Sequence, residues 1–384
     1  MLQEIHEQPA LVEAFLKTHL TSLGEKAIAQ GISSASDRLL PGSPALDAIG
    51  GIPTSIRILA CGSSLHAGMV GQYLLEELTG IPTLAQSATD YSDRPLPLPP
   101  GTLLMSVTQS GETADTLEAM QKARHLDHEG RSAYLGITNQ SGSSLEKWVD
   151  RSLYTSAGKE IAVAATKTFL TELLAFYRLA LELALQKQTL PPETLQTLVE
   201  ELKQVPAWIT RVLEQQTSVI QDLAPVLAKA QSCVCLGRGL HFPMALEGAL
   251  KLKETSYLHS EGYLAGEFMH GPVAMLDETI PVIAIVLPGS HLEKTLDNLK
   301  KVRMRGAFLI GITSEGVSDA SSLFDEVIQL PSMDERVSPL VTVVPLQLLA
   351  YYTSVQRGLD VDRPRSLQKF IGEENSSANT VIPI

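Results

Sequence analysis

Along this chain, short apolar runs alternate with longer stretches in which apolar residues return every three or four positions, a rhythm that predicts strands followed by helices. From Ile56, ILAC reads as a strand, GSS as a turn, and HAGMVGQYLLEELTG as a helix stopped by Gly80. The apolar run Leu103, Leu104, Met105 and Val107 reads as a strand, 112–126 as a helix and 132–137 as a further strand. A long apolar helix over roughly 168–186 follows, then LPPETLQ breaks the pattern and a helical linker reaches about Gln221. Strands alternating with helices imply right-handed crossovers and a parallel sheet covered on both faces.

A second α/β unit repeats the first. Gly62 and Gly237 each follow an apolar strand and lie 175 residues apart, as do Gly136 and Gly311 in the two GIT triplets. Between them, PVIAIVLPGS at 281–290 stands where TLLMSVTQSG stood. Three landmarks in one order at nearly one spacing predict an internal duplication: two tandem doubly wound, flavodoxin-like parallel-sheet domains of the α/β class. The expected organisation is a helical arm over 1–46, domains at 47–190 and 224–355 joined by a helical linker at 191–223, and a tail at 356–384.

Composition narrows the partners. A formal charge of −13 and a pI near 5.2 argue against nucleic acid or an anionic membrane surface, since either needs a basic face. The N-terminus mixes acids into its first residues and lacks a basic segment followed by an apolar one, and no apolar run spans a membrane, so a cytoplasmic protein is expected. Cys61, Cys233 and Cys235 each fall in an apolar strand-like run, which suits buried free thiols rather than a metal site.

The stretch 103–116, LLMSVTQSGETADT, is strand, turn and helix start with unusual turn chemistry. Thr108, Ser110 and Thr113 bring hydroxyls and Gln109 an amide, Gly111 permits close backbone approach, and the new helix offers free N–H groups. Such a turn can cradle a phosphate without a cationic side chain; the alternative is an ordinary capped strand-to-helix turn. The second copy has Pro288, Gly289, Ser290 and His291 at the equivalent place, so one cradle per pair of domains is expected.

Candidate chemistry lies mostly in that second copy. On a helix starting near Pro243, Glu247, Lys251 and Glu254 fall on one stripe. It is either a solvent-facing stripe of paired charges or a carboxylate beside an ammonium at the ligand-binding edge of a sheet, with Glu254 as proton shuttle and Lys251 stabilising an oxyanion. His270 precedes a Gly-Pro turn, where a mobile functional group or a structural histidine would each fit. Lys369 in the tail can act as an amine toward a carbonyl only if the tail folds over the site.

Together these residues resemble the sugar isomerase (SIS) family, most closely the isomerase half of the glucosamine-6-phosphate synthases. The matching strings are ACGSSLHAGM (60–69), QSGETADT (109–116), EIAVAATKTF (160–169), LGRG (236–239), ALEGALKLKE (245–254), HGP (270–272), VPLQLLAY (344–351) and DVDRPRSLQK (360–369). The resemblance implies phosphosugar binding by Ser64, Thr108, Gln109, Ser110 and Thr113. It implies proton transfer between C1 and C2 by Glu254 with Lys251 beside it, ring opening by His270 from a neighbouring subunit, and a Schiff base at Lys369. It further implies a homodimer, ammonia as co-reactant, and neither a metal nor an organic cofactor.

Three departures from the family pattern bear on substrate. The glutaminase domain of the full synthase is absent from this sequence: either the sequence is a trimmed piece of a longer synthase, or the protein works without glutamine, using free ammonia or running as a deaminase. Lys159, Ala162 and Ala165 stand where the family carries Thr, Gly and Ser, and the chain continues past Lys369 through FIGEENSSANTVIPI. The favoured reaction is interconversion of fructose 6-phosphate and glucosamine 6-phosphate. The rivals are a deglycase or isomerase of another 6-phosphosugar amine, a non-catalytic phosphosugar sensor, which does not need Glu254, His270 and Lys369 together, and a structural dimerisation protein.

Overall fold

The computed structural model describes residues 1–20, 51–315, 317 and 322–369. The extension beyond Lys369 and the second part of the expected N-terminal arm lie outside these residues.

After helix α1 (Leu2–His19), the first domain contains strands β1 (Ser55–Ala60), β2 (Thr83–Ser87), β3 (Thr102–Val107), β4 (Ala133–Thr138) and β5 (Arg151–Tyr154). They alternate with helices α2 (Gly62–Thr79), α3 (Ala88–Asp93) and α4 (Ala114–Leu126), and helix α5 (Lys167–Lys187) closes the domain. Helices α6 (Pro192–Gln215) and α7 (Thr217–Lys229) lead to the second domain. There β6 (Ser232–Gly237), α8 (His241–Ser256), β7 (His259–Leu264), β8 (Val282–Val286), α9 (Leu292–Arg303), β9 (Leu309–Ser314), β10 (Glu326–Leu330) and α10 (Pro339–Gln356) follow in turn.

The duplication is legible in the sheets. The first has the order β2-β1-β3-β4-β5 and the second β7-β6-β8-β9-β10 read from the matching edge, and every pairing is parallel. Because both faces are covered, β3, β4 and β9 are buried at every residue, as parallel strands between helical layers must be.

Strand alternation sorts the side chains between cores. Ile58, Leu103, Met105 and Ile137 from the first sheet join Ile283, Ile285 and Ile310 from the second in one continuous core. The intervening Leu59, Leu104 and Tyr134 turn outward under α3 and α4, while Val234, Leu236 and Val286 do the same beneath α9. In the shared core α2 packs on α5, α8 packs on α10, and α2 meets α8 across the domain boundary. Two glycines permit this closeness: a Cβ on Gly71 of α2 would lie 2.3 Å from the Phe176 ring of α5, and one on Gly248 of α8 would lie 2.7 Å from Leu346 of α10.

Helix α1 is built into the shared core, with Ile5, Val12 and Phe15 buried against α5, α6 and α10. Glu4, itself buried, accepts backbone N–H bonds from Ile161 at 2.5 Å and Ala162 at 3.2 Å, so α1 orders the loop that precedes α5.

Candidate functional site

In the first sheet, chain connections run from β1 to one side and from β3 to the other, so the crevice between their carboxyl ends is the switch point where open α/β folds take ligands. Two segments border it: the start of α2, with Ser63 and Ser64, and the 108–113 loop between β3 and α4.

The loop has the geometry of a cradle. Gly111 has φ +68°, and a Cβ there would stand 2.1 Å from Ser143 Oγ, so only glycine fits. Thr108 and Thr113 share a hydrogen bond of 2.7 Å between their hydroxyls, and Ser110 Oγ accepts the Glu112 N–H at 3.1 Å. Glu112 accepts the Ser144 N–H at 2.7 Å. No side chain caps the N-terminus of α4, so its first N–H groups stay available to an anion. Gln109, Ser110 and Thr113 line a pocket of about 250 Å³ with Glu112, Val163, Ala165, Gln368 and Lys369.

The tail folds over this pocket. Lys369 Nζ pairs with the buried carboxylate of Glu160 and donates to the Ala162 carbonyl at 2.8 Å. Burial alone raises the Glu160 carboxyl, but Lys369, Thr168 and Thr166 together hold it below its ordinary range. Of the three residues that replace the family's Thr, Gly and Ser, Ala165 lines the pocket, Ala162 holds Lys369 through its carbonyl, and Lys159 is exposed.

The charged stripe of α8 is buried. Glu247 and Lys251 are inaccessible to solvent, which removes the solvent-facing alternative; they meet the start of α2 instead. Lys251 Nζ lies 2.5 Å from Glu254 Oε2 and 3.4 Å from Glu247 Oε1, and donates to Ser63 Oγ at 3.0 Å. Ser63 in turn donates to Glu247 Oε1 at 2.9 Å, and His66 Nδ1 sits 2.7 Å from Glu247 Oε2. Burial opposes charge on both groups, yet the carboxylates of Glu247 and Glu254 push the Lys251 ammonium above its ordinary range, while Lys251, His66 and Ser63 hold Glu247 below its own. Lys251 is therefore a fixed cation, and Glu254, the stripe's partly exposed member, is its outlet toward solvent.

Ser64 joins the two halves by donating to Glu172 Oε1 of α5 at 2.9 Å. The fold thus gathers Gln109, Ser110, Thr113 and Lys369 around one pocket, with Thr108 buried behind them, and Ser64, Lys251 and Glu254 around the neighbouring start of α2. His270 is not among them. It ends a short 3₁₀ turn (Glu267–His270), and its exposed side chain makes no hydrogen bond or ion pair with the described residues.

Ser63, His66, Glu160 and Glu172 were not singled out from sequence. Their partners lie up to 209 residues away, beyond the reach of local spacing. Glu172 alone leaves a trace, as one of two acids, with Glu182, buried in the largely apolar α5.

Residues 53–182 and 226–357 each match the SIS domain. The chain belongs to the SIS domain family. This SIS chain is 48% identical over 378 residues to the glutamine–fructose-6-phosphate aminotransferase [isomerizing] of Synechocystis, and 40% identical over 374 residues to that of Methanosarcina acetivorans. The two matches cover 97% of this chain and 59% and 58% of the relatives, so the chain spans about three-fifths of the length of the curated relatives it matches. Among solved structures it resembles the C-terminal domain of glucosamine-fructose-6-phosphate aminotransferase from Francisella tularensis, at 35% identity and a TM-score of 0.85, covering 94% of this chain and 98% of that one. The glucosamine-6-phosphate deaminase of Thermotoga maritima shares the SIS fold, with a TM-score of 0.71 at 22% identity over 96% of this chain and 98% of that one. No helix among the described residues is long and apolar enough to cross a membrane, and no cluster of His, Cys, Asp and Glu among them could hold a metal ion.

Proposed function

We propose that this chain is a cytoplasmic phosphosugar enzyme that interconverts fructose 6-phosphate and glucosamine 6-phosphate, taking up or releasing ammonia. The observation that carries this reading is the pairing, at one switch point, of an uncapped hydroxyl-rich turn with a tail lysine folded over it. The matched relatives, whose names give isomerizing transfer of an amino group to fructose 6-phosphate, support the choice of sugar.

In the forward direction ammonia adds at the ketose C2, water leaves, and one proton moves from C1 to C2. The phosphate sits on Ser110, Thr113, Gln109 and the α4 N–H groups, and its binding energy orients the open chain. Glu254 moves the proton between the carbons, and Lys251 stabilises oxygen-centred negative charge while remaining protonated. Lys369, after giving up its proton, attacks C2 as an amine and expels the ketone oxygen as water to form a Schiff base; ammonia then displaces the lysine, which leaves as the free amine with Glu160 beside its Nζ. His270 opens the sugar ring. As the family resemblance implies, it serves the site of a partner subunit in a homodimer, a role that suits its exposure in this chain.

A second reading, a deglycase or isomerase of another 6-phosphosugar amine, is favoured by Ala165, which replaces a family hydroxyl on the pocket wall.

The chain incubated with glucosamine 6-phosphate is expected to release ammonia and fructose 6-phosphate, at rates that Glu254→Gln and Lys369→Ala each lower about 10²-fold or more. Binding without turnover in either direction points to a sensor instead.

A further inference from the structure

A carboxyl group without a role in that chemistry lies where the two halves of the site meet. Glu172 on α5 is 2% exposed, and its hydrogen bond is to the Ser64 hydroxyl. The charged groups that act on it are Glu160 from the loop before α5, Glu247 from α8 and Lys369 from the tail. On α2, His66 is tied to Glu247; on α1, Glu7 pairs with Lys167; α10 carries no Asp, Glu, Lys, Arg or His.

The nearby cations already have partners. Lys369 is held by Glu160, and Lys251 by Glu247 and Glu254. A further ionised acid at position 172 has no cation to itself, next to a pocket read as taking a phosphate dianion. Burial pushes the Glu172 carboxyl up to about 8, against the pull of the Ser64 bond and Lys369.

Ser64 has one proton to give. When Glu172 is ionised, that proton points at the carboxylate and Ser64, at the start of α2, offers the crevice only lone pairs, which repel an anion. When Glu172 is protonated, its O–H donates to Ser64 Oγ and the serine proton is free to donate to the ligand. We propose that Glu172 is a positioning residue that works as a neutral acid, turning the Ser64 hydroxyl into a donor for the bound phosphosugar, so that binding weakens when this acid ionises. The proposal rests on the phosphosugar reading of the site.

Calorimetric titration with fructose 6-phosphate between pH 7 and 9 tests it, because a phosphate monoester is already a dianion across that window. The wild-type Kd is expected to weaken about tenfold, following the protonated fraction. In Glu172→Gln, whose amide always donates, the ratio of Kd at pH 9 to Kd at pH 7 stays below about two, because the group that ionises is gone. An equal alkaline loss in both proteins, or none in the wild type, overturns the role of Glu172 and leaves the phosphosugar reading standing. Absence of binding at every pH overturns both. Should Glu172→Gln not fold, infrared difference spectra of the wild type still decide. A protonated-carboxyl band that disappears between pH 7 and 10 and shifts in Ser64→Ala supports the proposal, and its absence at pH 7 contradicts it.

Discussion

Lys251 and Ser63, 188 residues apart in the chain, are joined by a hydrogen bond of 3.0 Å that crosses from the second domain to the first. The bond holds the charged stripe of α8 against the start of α2, so the second domain's helix borders the crevice of the first domain's sheet.

Removing the cation from this junction is expected to be costly. Lys251→Met leaves Glu247 buried beside only His66 and Ser63, and the loss of one partner from a buried ion pair costs roughly 3–5 kcal/mol. Urea denaturation should show that loss. Combining the substitution with Glu247→Leu should recover part of it, because no unpaired charge then remains in the core.

The cradle offers a backbone test. Gly111→Ala puts a methyl against Ser143 and forces an L-residue to φ +68°, a strain of order 1–3 kcal/mol. The turn must shift to relieve it. The expected outcome, read by calorimetry, is at least tenfold weaker binding of fructose 6-phosphate with the circular dichroism spectrum unchanged.

Acid stability should report His241. Burial, helped by nearby His291, lowers this imidazole to about 4, and its Nε2 lies 2.9 Å from Ser338 Oγ. The unfolded state takes up a proton near pH 6.5 that the folded state refuses until about pH 4, so stability falls as pH drops through that window, by roughly 3 kcal/mol in full. Melting temperatures of His241→Gln between pH 7 and 4 should decline less steeply than those of the wild type.

The parts of the fold and site that were legible in sequence share a physical reason. Parallel strands are short apolar runs, and Gly80 stops the helix-forming stretch after β1, so the two α/β repeats and the turn at Thr108–Thr113 follow from local composition. The orientation of the α8 stripe did not. Glu247, Lys251 and Glu254 have one spacing whether they face water or another domain, and only the packing of α2 on α8 decides. The same holds for Glu160 and Lys369, whose pairing needs the tail to return across the first domain. Helix α1 shows the reverse error: its mixed polar and apolar pattern suggests a connecting arm, yet Gln8 is buried because Gln347 of α10 supplies its hydrogen bond at 2.7 Å.

The most direct measurement of the central claim is proton exchange at the sugar. Fructose 6-phosphate incubated with the chain in deuterated water, and followed by proton NMR, should acquire deuterium at C1, at a rate that Glu254→Gln lowers about 10²-fold or more. Exchange that is absent in the wild type, or that proceeds equally fast without the carboxylate, would contradict the assignment of Glu254 as the group that moves the proton.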